Sequence, residues 1–153
     1  MIRVCFVCHG NICRSPMAEA VFSDMVKRAG LTDSFDIFSR ATSTEEIGNG
    51  LYPQARQELM RRGVPILPHV ARQLTLSEYH ACDLVLVMDD MNVYNAMRLT
   101  GGDPERKIRR LLDYTDTPGE ISDPWYTDRF AEAYTEIRKG CEALLKVLTQ
   151  DMH

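Results

Sequence analysis

Four short apolar or β-branched runs, Ile2–Val7, Phe35–Ser39, Asp83–Met88 and Lys107–Leu112, are separated by stretches with helical spacing. That alternation constrains the fold more than any other feature. Strands joined through helices pair in parallel by right-handed crossovers, because a crossover of a dozen or more residues is what parallel neighbours need. The helical stretches carry their own punctuation. Ser15-Pro16 reads as an N-cap followed by proline at the first helical position. Met17, Val21, Phe22 and Met25 then recur on one face, and Gly30 ends the helix. A second helix, Pro53–Arg62, closes at Gly63, and a third, Met91–Leu99, stops at Gly101-Gly102. Phe130, Tyr134, Ile137, Cys141, Leu144, Leu145 and Leu148 form one apolar stripe on the last. The expected fold is therefore α/β, a three-layer arrangement with a four-stranded parallel sheet flanked by helices. With 153 residues, 44% of them hydrophobic, the chain suits a single domain over 1–153 whose core needs no disulfides.

Charge and cysteine usage narrow the function classes. A net charge of -4 argues against a broad basic face, so no nucleic-acid partner is expected. No run of 18 apolar residues exists, so no membrane span is expected. The chain enters its first strand without a signal-peptide pattern, which favours a cytoplasmic location. The five cysteines, Cys5, Cys8, Cys13, Cys82 and Cys141, are odd in number and unlike a structural disulfide framework. Cys5 and Cys141 fall in apolar periodic segments and read as small buried hydrophobes.

In open parallel sheets, ligands bind beyond the carboxyl ends of the strands near the switch in strand order. The loop after the first strand is thus where chemistry is expected. It reads Cys8-His9-Gly10-Asn11-Ile12-Cys13-Arg14-Ser15. A cysteine ends the strand, and an arginine follows six positions later at a helix start. The five residues between them can curl so that successive backbone N–H groups point inward. Gly10 and Asn11 tolerate the left-handed conformations such an anion-binding nest needs. The helix N-terminus adds free N–H groups and partial positive charge, and Arg14 can grip two phosphate oxygens. Electropositive surroundings of this kind favour a thiolate, which makes Cys8 a candidate nucleophile. Ser15 can donate a hydrogen bond to its sulfur. A zinc reading of Cys8 and Cys13 fails for want of a second close pair of ligands, so no metal and no cofactor are expected.

Asp123-Pro124 is the second chemical feature. An oxygen leaving group departs more easily when it is protonated, and one positioned carboxylic acid can supply the proton. Pro124 biases Asp123 toward an extended backbone and so fixes its direction. Trp125 and Tyr126 follow directly and suit one wall of a slot for a flat ring. Taken without the cysteine loop, Asp-Pro is only a turn, and Trp125 could simply pack over the sheet. His80 and His153 carry no functional argument, and Asp103–Arg110 reads as a solvated turn and strand edge.

The segment Val4–Phe22, VCFVCHGNICRSPMAEAVF, resembles the active-site segment of the low-molecular-weight protein-tyrosine phosphatases. The likeness extends through Ser39 to Gly48, His69-x-Ala71-Arg72, Asp83 to Asn92 and Asp123-Pro124-Trp125-Tyr126. The resemblance implies a metal-independent phosphatase that hydrolyses phosphotyrosine and small aryl phosphates through a cysteinyl-phosphate. Cys8 would attack phosphorus, Arg14 would bind the phosphoryl oxygens and Asp123 would act as general acid and base. It implies that His9, Gly10, Asn11, Ile12, Cys13 and Ser15 form the phosphate-binding loop, with Asn11 holding it in a strained shape and Ser39 and His69 in support. Cys13 would be a redox partner for Cys8, and Glu45, Trp125 and Tyr126 would line the substrate slot. The implied partners are phosphotyrosine proteins and a cognate tyrosine kinase.

Three positions depart from the family pattern. Ala41 stands where Ser-x-Gly-Thr is usual, which alters a turn. Glu45 replaces an aromatic residue of the slot, and His9 replaces a leucine or similar residue. All three bear on substrate choice, and Glu45 leaves small-molecule phosphates open as substrates. An arsenate reductase of the same fold would need two more thiols about seven residues apart. Cys82 is present, but Asp89 occupies the partner position. A non-catalytic phosphopeptide-binding module would be expected to lack Cys8 or Asp123, and both are present.

Overall fold

The computed structural model describes residues 1–150; His153 lies outside them. Four strands, β1 (Ile2–Cys8), β2 (Phe35–Ala41), β3 (Leu84–Val87) and β4 (Ile108–Arg110), form one all-parallel sheet in the order β2-β1-β3-β4. The helices are α1 (Arg14–Arg28), α2 (Pro53–Arg61), α3 (Leu76–Ala81), α4 (Asp90–Thr100), α5 (Pro124–Thr127) and α6 (Phe130–Thr149). The sequence expectation of a layered parallel α/β fold is borne out. Along β1, Val4, Phe6 and Cys8 join the core beneath α1 and α6, while Cys5 and Val7 face Tyr79 of α3 and Ala96 of α4. A strand buried on both faces reads as a continuous apolar run, which is why β1 is legible in the sequence. Strand order reverses on either side of β1, so its carboxyl end lies at the switch point.

Several boundaries differ from expectation, each for a local reason. Helix α1 begins at Arg14 with Cys13 as N-cap, and no side chain caps it. Ser15 is not the cap, because its hydroxyl turns back to Asn11 and Cys8. The fourth strand is only Ile108–Arg110; Leu111–Tyr114 tightens into a 3₁₀ turn that drops Leu111 into the core. Helix α3 has no counterpart among the expected elements, although Thr75 and Glu78 make a reciprocal capping box at its start. Nor is Asp103–Arg110 merely solvated. Lys107 is buried, with Nζ donating to the carbonyls of Tyr79 and His80. Asp103 accepts from the N–H groups of Lys107 and Ile108 and from the Tyr79 hydroxyl.

Gly140 on α6 lets that helix lie against Leu111. A Cβ there would stand 2.5 Å from Leu111 Cγ, and Leu111 is fully buried. Because cores are close-packed, Gly140→Val should cost about 2–3 kcal/mol through overpacking, more than the few tenths gained in helix propensity. Urea denaturation should show the midpoint fall with little change in slope.

Candidate active site

The turn from β1 into α1 wraps around the end of the central strand. Asn11 makes that turn possible: it adopts φ 60°, in the left-handed region that asparagine tolerates better than most residues. It is completely buried, and each of its side-chain polar groups is used. Nδ2–H₂ donates to Ser15 Oγ at 2.8 Å and Ser39 Oγ at 3.0 Å. Oδ1 accepts from the Arg72 N–H at 3.2 Å, and the carbonyl oxygen accepts from His69 Nε2 at 2.6 Å. Ser39 in turn donates to Glu19 Oε1 at 2.6 Å. Burial lifts the Glu19 carboxyl above its ordinary range, with the Ser39 hydrogen bond and His69 pulling the other way. The chain of contacts ends at Cys8, whose Sγ lies 3.0 Å from Ser15 Oγ. A buried polar network with every member paired holds one loop geometry and penalises others. The turn at Ala41 is not strained: its N–H and carbonyl bond Arg72 and Leu74 as in a parallel ladder.

Arg14 begins α1 and is only 2% exposed, although its head group is charged. Such a cation needs partners. Nη1 donates to Asp89 Oδ2 at 2.7 Å and to the Ile121 carbonyl at 2.8 Å, and Nη2 to Asp123 Oδ2 at 3.3 Å. Nε–H donates to no protein group among the described residues, leaving that edge of the fork available. Burial pulls the guanidinium down, but Cys8, Asp123 and Asp89 together hold it above its ordinary value. In the sequence, Asp89 stands out only as the residue in a missing cysteine's place. Its N-cap position on α4, where Oδ1 accepts from the Asn92 N–H, fixes the oxygen that orients Arg14.

Asp123 has φ -82° and ψ 109°, the extended conformation that Pro124 favours, and caps α5 by accepting from the Trp125 N–H at 3.0 Å. Its other oxygen faces Arg14. Trp125 and Tyr126 rise from this short helix at 52% and 82% exposure. Trp125 meets Tyr52 edge-to-face at 5.1 Å between centroids, and Tyr52 stacks on Phe130, so the aromatic side is braced. A slot opens between this side and the loop after β1. Cys8, His9, Gly10, Ile12, Cys13, Arg14, Glu45, Glu46, Asp123, Trp125 and Tyr126 line it. Thus every residue expected from sequence in the loop and slot except Asn11 and Ser15 lies on this wall, and those two lie beneath it with Ser39 and His69. Sequence reasoning misses Glu19, Glu46, Tyr52 and the part Asp89 plays; a lone Glu inside an amphipathic helix gives no local signal.

Cys82 is buried with Cys5 on the opposite sheet face from Cys8, so no thiol relay leads from the loop through it. Among the described residues no cluster of three or more His, Cys, Asp or Glu is arranged to hold a metal ion. None of their helices is long and apolar enough to cross a membrane.

A four-stranded parallel sheet carrying a buried cysteine-arginine loop at its switch point defines an α/β protein with a side-chain-lined slot at the carboxyl end of its central strand. The family model described as low molecular weight phosphotyrosine protein phosphatase matches residues 3–153. The low molecular weight protein-tyrosine-phosphatase YfkJ of Bacillus subtilis is 35% identical, covering 99% of this chain and 98% of its own. Its crystal structure superposes with a TM-score of 0.95. The human low molecular weight phosphotyrosine protein phosphatase is 36% identical over 94% of this chain and 93% of its own. The YwlE arginine phosphatase, solved as a cysteine-to-serine mutant with a phosphorylated active-site serine, matches at 29% identity and TM-score 0.87, covering 98% and 97%. The chain belongs to the low molecular weight phosphotyrosine protein phosphatase family.

Proposed function

We propose that this protein hydrolyses phosphotyrosine in proteins, and small aryl phosphates, through a cysteinyl-phosphate and without a metal ion. The observation that carries this reading is the convergence of Cys8, Arg14 and Asp123 on one slot with a braced aromatic side. The N–H groups of the loop and the Nε edge of the Arg14 fork would take the three phosphoryl oxygens. Cys8 Sγ attacks phosphorus from below while Asp123 protonates the departing phenolate oxygen from the mouth. In the second step Asp123 removes a proton from water, which attacks the phosphoenzyme. Ser15 Oγ, held as acceptor by Asn11, is free to donate a hydrogen bond to the leaving thiolate sulfur. The phosphorylated active-site serine of the YwlE mutant supports a covalent phosphoenzyme in a relative. Because YwlE is an arginine phosphatase, phosphoarginine belongs among the substrates to test. A tyrosine kinase acting on the same proteins would supply the substrate, which fits a cytoplasmic location.

The decisive assay offers phosphotyrosine, phosphoserine and phosphoarginine peptides to purified protein in EDTA. Hydrolysis of the phosphotyrosine peptide alone, inhibited by vanadate, is the expected result. Preference for phosphoarginine, or loss of turnover on chelation, would sink the reading.

Cys13 is assigned the role of redox partner. Its thiol is pushed up by burial and by the neighbouring Cys8. Peroxide would oxidise Cys8 to a sulfenic acid. The Cys13 thiol then loses its proton and displaces hydroxide from the Cys8 sulfur, forming a disulfide and water. After prolonged peroxide exposure, dithiothreitol should restore nearly all activity to the unmodified protein but only about a tenth of it to Cys13→Ser, whose Cys8 oxidises onward irreversibly. Equal recovery would mean Cys13 only packs.

A further inference from the structure

The mouth of the slot is bounded on one side by a hydrogen-bonded histidine and glutamate. His9 Nε2 lies 2.9 Å from Glu45 Oε2, with side chains 44% and 69% exposed. The two residues come from different segments, the loop after β1 and the loop after β2. Their backbones are tied together, since the His9 carbonyl accepts from both the N–H and the hydroxyl of Ser43. Glu46 stands beside Glu45, its carboxylate held by Asn49 Nδ2–H. A Cβ on Gly10 would come within 3.3 Å of Glu46 Cγ, so Glu46 is packed on the loop rather than swinging free. Apart from Arg14 at the floor, no lysine or arginine lines the slot.

Nε2–H donates to Glu45 whether or not the imidazole is charged. Two carboxylates against at most one imidazolium leave this rim net negative in either state. Resting on the phosphotyrosine reading, we propose that the His9–Glu45 pair holds a carboxylate over the mouth and thereby selects phosphotyrosines flanked by basic or neutral residues against those flanked by acidic ones. Arg14 and the loop N–H groups serve the phosphate itself; the rim senses the charges beside it. Glu45 is then a specificity-determining residue, and His9 positions it.

The test uses one phosphotyrosine peptide in three versions, with Lys-Lys, Ala-Ala or Asp-Asp flanks. Its readout is the ratio of kcat/KM between versions within each variant, which cancels any general loss of activity. The unmodified protein should favour the basic over the acidic version by about tenfold at low salt, shrinking to about twofold at high salt. Glu45→Gln should cut the low-salt ratio to about threefold, and Glu45→Lys should bring it to one or below. His9→Ala should move the ratio toward that of Glu45→Gln, and His9→Gln, which keeps a donor, should restore it. Glu142→Gln, outside the slot, should leave the ratio where it was. Equal kcat/KM for the three peptides, or a ratio untouched by Glu45→Gln, overturns the rim proposal alone. No turnover of any of them overturns the phosphotyrosine reading with it.

Discussion

Replacing Cys8 with serine should lower turnover of every phosphate ester by about 10⁴-fold or more while leaving oxyanion binding within a fewfold. The two outcomes separate because they draw on different atoms. Chemistry needs the sulfur electron pair under phosphorus, and a serine hydroxyl is a far weaker nucleophile without an adjacent base. No base is there to activate it: the hydrogen-bond partner of Cys8 Sγ is the Ser15 hydroxyl, at 3.0 Å. Binding needs the loop N–H groups and Arg14, which Asn11, Asp89 and the Ile121 carbonyl hold independently of the sulfur. Serine also fits the space, so the loop should keep its shape. The measurements are single-turnover rates with an aryl phosphate and titration of vanadate or phosphate by calorimetry. Retained turnover would remove Cys8 from the chemistry. Lost binding would show that the sulfur helps hold the loop together, and the variant's unfolding midpoint would then fall as well.

Asp123→Asn should slow phosphotyrosine cleavage by about 10²–10⁴-fold, and p-nitrophenyl phosphate cleavage markedly less. Tyrosyl phenolate is a strong base, with a pKa of about 10, and needs a proton to leave; p-nitrophenolate is a much weaker base and needs it less. The substitution is isosteric. Asparagine remains a good N-cap, its one carbonyl oxygen accepting from the Trp125 N–H, while its amide nitrogen takes the place of the oxygen 3.3 Å from Arg14 Nη2. Arg14 is still held through Nη1 by Asp89 and the Ile121 carbonyl, so beyond that long contact the variant loses the acidic proton. Rates must be taken under single-turnover conditions, because a slow second step would hide the first. A phosphoenzyme should accumulate in the variant when p-nitrophenyl phosphate is used, since Asp123 also serves the water that releases it. Equal losses for both substrates would mean that Asp123 acts by steering Arg14 and α5 rather than by giving a proton.

Much of this molecule is legible in sequence because the signals are local. The β1 run is apolar on both faces, as a central parallel strand must be, and the strand-loop-helix spacing from Cys8 to Arg14 is contiguous. Glycines at Gly30, Gly63 and Gly101 take left-handed φ values where helices are expected to stop. The family resemblance adds Ser39 and His69 and strengthens Asp123, residues that composition and periodicity alone leave as ordinary turn and strand positions. Local reading errs where a side chain has two possible partners. Ser15 looks like a helix cap, yet Asn11, poised by its left-handed backbone, claims its hydroxyl for the sulfur. Asp103 and Lys107 look solvated, yet packing between α3 and β4 buries the lysine against carbonyls at the end of α3.

The tertiary structure alone decided how distant charges share the site. Asp89 and Asp123, 75 and 109 positions from Arg14, meet one guanidinium because β1, β3 and β4 are successive parallel strands and the segments after them leave the sheet at the same end. Glu19 reaches Ser39 because α1 folds back over β2. His9 and Glu45 are, in the sequence, two separate departures from a pattern, and only the fold joins them at the slot's mouth. The physical reason is common to all three cases. Hydrophobic periodicity fixes which elements form and which faces they bury, whereas an ion pair or hydrogen bond depends on a few ångströms between residues whose separation along the chain carries no such information.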